Sequence, residues 1–418
     1  MDPVLIGFLG YLLIVLVVGF TTARLNKTLP DYLIAGRRLG SWVVAFSERS
    51  SGESAWLLLG LPAFAWLAGY SAIWDAIGCC SGILFSWLVI ARRLRSESEK
   101  YDAITLPRFF EAKLGDRTQM LKLTATLIIV FFFTLYVAAQ LLGAGKVLNY
   151  FLDVNEFYGM LIGGGIILFY TMMGGFFAVA WTDMFQGILM IVTLVVLPLL
   201  GLISLGFFEP LNHTIAQSSA GYMVTLPGGN SVSIWHLGLA KLGTILSATG
   251  NPHLYLYSLG EFARPEVVEG MNSAMKSSGQ DFLSVVANRS GWPMWAGILG
   301  GLGIGLGYMG QPHLLTRFMS IKSTGKLRQG SLVAIIWALL AFWGAVLIGV
   351  VAIGIIRNND IPFDQLSVLL NDPEKVMPFM ASFLLPPWLA GILISGAIAA
   401  MMSTADSQLL VSTSAISE

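Results

Sequence analysis

Charge is what this chain is short of. Only 11% of its 418 residues are Asp, Glu, Lys or Arg, whereas 56% are hydrophobic and the mean hydropathy is +0.74. A water-soluble fold of this size would have too little polar surface to cover itself, so the composition excludes a soluble module and leaves a polytopic membrane protein. Basic and acidic residues balance at 24 each, and no overall field speaks for a nucleic-acid partner. Cysteine is nearly absent: Cys79 and Cys80 are neighbours in an apolar run, where a bridge would be strained and a metal site lacks further ligands. They read as small packing residues. The histidines, His213, His236, His253 and His313, show no HExxH or paired spacing. No nucleophile with a base is visible either, so a membrane-embedded enzyme has no support.

Long hydrophobic runs are what the chain does have. Stretches able to cross about 30 Å of hydrocarbon lie near 4–23, 41–66, 72–91, 121–145, 158–177, 183–206, 291–312, 330–356 and 386–414, which predicts an all-α protein with nine spans. The first follows Asp2 and precedes Arg24 and Lys27, the wrong polarity for a cleaved signal peptide. Connections near 24–40, 92–122 and 313–329 carry most of the basic residues, among them Arg92, Arg93, Arg95, Lys113, Arg317, Lys322 and Arg328. By contrast 147–157 has none. The positive-inside rule puts the basic loops in the cytoplasm and the N-terminus outside. Residues 207–290 are polar and read as an external loop or cap, with a helical pattern in PEVVEGMNSAMKSS. In a second external segment, Asn371-Asp372-Pro373-Glu374 carries the signature of a helix start.

Three places combine polarity with membrane depth, where ionisable residues mark function by default. The first is SERSSGESAWLLLGLP, residues 47–62. Arg49 and Glu53 stand at i,i+4 and would neutralise each other on one helix face. That pairing leaves unexplained Gly52 among Ser50, Ser51 and Ser54, a combination that weakens a helix; irregular backbone survives at depth only where it lines a cavity or is covered by protein. A helix break with exposed carbonyls is the expectation. The second is ILGGLGIGLGYMGQP, 298–312, whose Gly305, Gly307 and Gly310 match GxGxxG without a preceding strand, so a dinucleotide site is excluded. It is either a close helix contact or a second unwound segment of an inverted repeat. The third is ISGAIAAMMSTADSQLLVS, where Ala400, Ser403, Thr404 and Ser407 share a helix face beside Asp406. Its hydroxyls either bond back to the preceding turn or, with Asp406, supply hard oxygen ligands for a hard cation such as sodium. Asp183, in AVAWTDMFQGILM, either caps a following helix or completes a cation site.

At these residues the sequence resembles the sodium/solute symporter family, and within it the sodium/proline symporters. The match runs through DYLIAGRRLGSW, ESAWLLLGLP, ITLPRFF, FFTLYVAA, GGFFAVAWTD, LGYMGQPHLLTRFM and AGILISGAIAAMMSTADSQLLVSTSAI. The resemblance implies the leucine-transporter-like fold, two inverted five-helix repeats behind one extra N-terminal helix. The chain is then expected to be a single transmembrane domain over 1–418, a fragment ending after the eighth core helix. It implies sodium-coupled transport of a small solute, L-proline in the first instance, with no covalent chemistry and no cofactor besides sodium as coupling ion. Another amino acid or a monocarboxylate is the rival substrate; the membrane sensor domain of a signalling protein is the rival of another class. Carried onto matching positions, the family's sodium site would use the carbonyls of Ser50, Glu53 and Ala400 and the hydroxyls of Ser403 and Thr404. A second sodium would be met by Asp183, Ser403, Asp406 and Ser407, and substrate by Trp56, Tyr136, Tyr308 and Pro312. Arg37 matches an arginine linked to transport. Two positions depart from well-known proline transporters: Gly52 stands where they have aspartate, and Ile304 where they have tryptophan.

Overall fold

The structure is a computed structural model, described here for residues 3–25, 27–152, 154–208, 211–212, 223–225, 231–233, 284–286, 289–359, 361 and 363–418. All nine expected stretches are helical. Helix α1 (Pro3–Ala23) is followed by α2 (Leu29–Ile34), α3 (Ser41–Ala55), α4 (Leu61–Ala68), α5 (Ile73–Phe85), α6 (Ala91–Lys100), α7 (Leu106–Leu114), α8 (Met120–Leu152) and α9 (Glu156–Leu205). After the long connection come α10 (Trp292–Gly310), α11 (Pro312–Ser320), α12 (Leu327–Asn358), α13 (Phe363–Asn371), α14 (Val376–Leu384) and α15 (Pro387–Ser417). The fold is not purely helical: Met223–Thr225 pairs antiparallel with Ser231–Ser233. Most of 207–290, including PEVVEGMNSAMKSS and three of the histidines, lies outside the described residues.

Among the described residues, six helical runs are long and apolar enough to cross a membrane. One of them, Ser41–Lys100, turns at Gly69 (φ +63°) and so provides two passes. The 50-residue α9 is likewise parted at Gly175, whose φ of +50° and ψ of −152° only glycine adopts without strain. Tyr32 packs where a Cβ on Gly175 would sit. Leu13, Phe131 and Leu161 are among many apolar side chains left on the outer surface, the pattern of a lipid-facing belt. Helix α15 is the opposite case, with 83% of its most apolar window buried. It packs against α1, α3, α8 and α9 and forms the axis of the bundle.

The expected break near residues 47–54 is present at its end. Residues 41–53 are helical, Ser54 takes φ +57° and ψ −172°, and a wider π-helical stretch from Trp56 to Gly60 leads into α4. The second glycine-rich segment behaves differently. Unwinding at 298–310 does not occur: α10 is a continuous helix to Gly310, and the interruption comes at Gln311, in extended conformation, ahead of Pro312. Its glycines serve close packing, because Gly301 and Gly305 lie against Gly78 and Gly82 of α5 so tightly that a Cβ at Gly82 or Gly305 would overlap the other helix's carbonyls. The Asn371–Glu374 start holds as read: the Asp372 carboxylate accepts the Glu374 amide at 3.3 Å, and Lys146 of α8 reaches both Glu374 (2.6 Å) and Asp372 (3.4 Å).

Candidate ion and substrate site

Helix α3 is buried from Ser47 to Ser54 although seven of those eight residues, all but Gly52, are charged or carry a hydroxyl. Its polar groups must therefore find partners inside the protein. On one side, Arg49 forms ion pairs with Glu48 and, at 2.7 Å, with Glu53. Trp87 Nε1 donates to Glu48 at 2.8 Å and Tyr308 OH donates to Glu53 at 2.9 Å. The i,i+4 pair read from the sequence is thus present, capped by two aromatic donors from neighbouring helices.

On the other side α3 meets α15. Ser403 Oγ donates within reach of Ser50 O (2.9 Å) and Ala400 O (3.1 Å). Thr404 Oγ1 donates to Ser51 O at 3.0 Å. Hydroxyls of α15 therefore face main-chain carbonyls of α3 one turn before its break. Such oxygens, in a dry core, are hard donors suited to a small hard cation. Of the expected first set, Ser50, Ala400 and Ser403 are brought together; Thr404 pairs with Ser51 instead, and the Glu53 carbonyl accepts the Trp56 amide. His313 also meets Ser51 O, at 3.1 Å from Nε2; a carbonyl only accepts, so Nε2 carries the proton.

Asp183 is no helix cap. It lies inside α9, fully buried, where its Oδ2 accepts Ser47 Oγ (2.6 Å), Ser51 Oγ (3.0 Å) and Arg317 Nη2 (2.7 Å). Arg317 also reaches Ser47 Oγ (2.8 Å), Ser51 Oγ (2.6 Å), Ser407 Oγ and the His313 carbonyl (2.6 Å). Ser407 in turn lies 2.9 Å from Asp406 Oδ1 and 2.7 Å from Ser403 O. The sequence counted Arg317 as a loop charge. It is instead fully buried at the centre of this network, because α11 turns back into the bundle after Pro312. No motif signalled that placement.

Beyond the break, Tyr136 OH donates to Ser54 Oγ at 3.1 Å and the Ala55 amide donates to Gln140 Oε1 at 2.9 Å. Trp56 and Tyr308 both pack near Phe342 of α12, at ring distances of 6.1 and 6.4 Å. Of the four expected substrate positions, Trp56 stands at the break itself, and Tyr136 and Tyr308 contact Ser54 and Glu53 beside it. Pro312 opens α11, four residues after Tyr308, and its carbonyl accepts Thr316 at 2.9 Å. Gln140 and Phe342 escaped the sequence reading, each being an ordinary member of a long helix pattern. Arg37 sits apart: its Nη2 donates to the carbonyls of Ser98 (3.0 Å) and Ala103 (2.8 Å), anchoring the segment before α3 to the end of α6.

A profile described as "SSF: Sodium:solute symporter family" matches residues 32–418. The chain belongs to this family. It is similar to a sodium/proline symporter of Escherichia coli (strain K12), 32% identical over all of this chain and 70% of that protein. It is also similar to the high-affinity proline transporter PutP of Bacillus subtilis (strain 168), 31% identical over 96% of this chain and 70% of that one. Among solved structures, a Na+-coupled sialic acid symporter in its substrate-bound outward-open state matches with a TM-score of 0.70 at 16% identity, over 100% of this chain and 74% of that one. That likeness shows the fold, the helical transporter architecture the family resemblance implied. The relatives are transporters, and with its apolar helices the chain is a multi-pass membrane protein.

Proposed function

We propose that this protein couples sodium entry to uptake of a small organic solute, L-proline in the first instance, by alternating access. The observation that carries this reading is the meeting of α15 hydroxyls with α3 carbonyls beside the break, Ser403 with Ser50 and Thr404 with Ser51. Sodium would be held by the carbonyls of Ser50 and Ala400 and the hydroxyls of Ser403 and Thr404. In this conformation the hydroxyl protons occupy the space between those oxygens. Rotation of the two hydroxyls would turn their lone pairs inward, and the Glu53 carbonyl would be free to join only if it released the Trp56 amide. Because the ligands come from two helices, the ion favours the conformation in which those helices are close; coupling needs only that difference between states. One entering sodium supplies about 2.3 kcal/mol per 100 mV of membrane potential and about 1.4 kcal/mol per tenfold gradient. That is enough to concentrate a solute.

The substrate would lie against Trp56, Tyr136 and Tyr308, with Pro312 at the opening of α11, where aromatic rings can pack on a pyrrolidine. The similarity to proline symporters supports proline over other amino acids or a monocarboxylate. The whole of 1–418 would act as one transmembrane unit in the cell membrane, supported by a continuous apolar core from α1 to α15. Its N-terminus and 207–290 would face outside, supported by the distribution of Lys and Arg.

The test is uptake of labelled proline by the protein in liposomes. An inward sodium gradient is expected to drive accumulation, and a proton gradient alone is not. Equal uptake on protons alone overturns sodium coupling; entry of another solute while proline is ignored overturns the substrate assignment only.

A further inference from the structure

Arg317 is held by the kind of shell that holds an ion. Its Nη2 lies within hydrogen-bond reach of Asp183 Oδ2 (2.7 Å), Ser51 Oγ (2.6 Å) and Ser407 Oγ, oxygens from α9, α3 and α15. Nε adds Ser47 Oγ at 2.8 Å and Nη1 the His313 carbonyl at 2.6 Å. The ring of Phe176 lies 5.6 Å from the guanidinium carbon, and the side chain is fully buried. An arginine does not lose its proton in a protein, so this is a permanent positive charge.

A second sodium, as the family resemblance implies, would draw on Asp183, Ser403, Asp406 and Ser407. Those residues do not fit a second metal ion here. Asp183 Oδ1 is buried without a hydrogen-bond partner, but the guanidinium already takes Asp183 Oδ2 and the Ser407 hydroxyl, and the first sodium of the reading above already draws on the Ser403 hydroxyl. A metal ion could enter only beside the fixed cation or after driving it from its buried partners, and both are electrostatically costly in a dry core.

We propose that Arg317 is a resident cation in the place of a second coupling ion, so that each chain binds one sodium. The inference rests on the sodium-symport reading above. It is tested by equilibrium binding of radiolabelled sodium to the purified full chain, which needs no knowledge of the substrate. Wild type is expected to bind one sodium per chain, Arg317→Gln two, and Arg317→Lys, which keeps the charge, one. Two sodium ions on the wild type overturn the proposal, as does one on an Arg317→Gln protein that still unfolds cooperatively. Should Arg317→Gln fail to fold, the wild-type count decides alone. No sodium bound to wild type would overturn the symport reading itself.

Discussion

Helix α3 carries two buried ionic groups, and they are built on different plans. Arg49 with Glu48 and Glu53 is local: three charges within six residues of one helix, capped by Trp87 and Tyr308. Arg317 with Asp183, Ser47, Ser51 and Ser407 is assembled from four helices, its two charged members 134 positions apart. The period of a helix sets Ser47 and Ser51 on the side opposite Arg49 and Glu53. The local group would persist if α3 moved as a unit, whereas the assembled one breaks whenever α3, α9, α11 and α15 move relative to one another. A transporter needs both behaviours: a charge pair that travels with the moving helix, and contacts that differ between its states.

The largest expected effect separates the two plans. Asp183→Ala strands the Arg317 charge, and removing one partner of a buried pair costs about 3–5 kcal/mol; the detergent-solubilised protein should show a strongly lowered unfolding midpoint and no uptake. Glu53→Gln should be milder, at about 1.5–3 kcal/mol for a hydrogen bond to a charged group, because Arg49 keeps Glu48. If the two variants unfold alike, the contrast between local and assembled groups is lost.

The two glycine-rich segments sharpen the same contrast between what a helix does alone and what its neighbours impose. Gly305→Ala would drive a Cβ into the backbone of α5, whereas nothing lies within 4 Å of a Cβ at Gly303. Overpacking costs about 1–3 kcal/mol, while alanine at an open helix position gains up to about 1 kcal/mol over glycine. Gly305→Ala should therefore lower the unfolding temperature and Gly303→Ala leave it unchanged or raised; the reverse order would remove α5–α10 packing as the reason for the glycines. Smaller still is Tyr136→Phe, which deletes one hydrogen bond to Ser54 at the break, worth about 0.5–1.5 kcal/mol, and should raise the substrate concentration for half-maximal uptake by a few-fold.

The same contrast marks how far the sequence could be read. The helical character of the nine stretches, the Arg49–Glu53 pair and the start at Asp372 were legible, because hydropathy, i,i+4 spacing and capping are local signals. The break near residues 47–54 was legible as well, since serines and a glycine weaken the helix where they stand. Ser403 and Thr404 came into view as hydroxyls on one helix face, but Thr404's partner, Ser51 O, depends on the register between α3 and α15. For 298–310 the sequence allowed both packing and unwinding, and only the neighbouring glycines of α5 decide for packing. Arg317 was misread as a loop charge because hydropathy cannot see that α11 folds back into the core. Asp183 looked equally like a cap, since the helix boundary at Gly175 is set by packing against Tyr32.

Sodium dependence of proline uptake by the double variant Ser403→Ala, Thr404→Ala, reconstituted beside wild type, tests the central idea most directly. Loss of the two proposed ligand oxygens is expected to raise the sodium concentration for half-maximal uptake at least about tenfold, equivalent to about 1.4 kcal/mol, with residual uptake recovered at high sodium. An unchanged sodium requirement would remove α15 from the ion site, and with it the link between that helix and the broken α3.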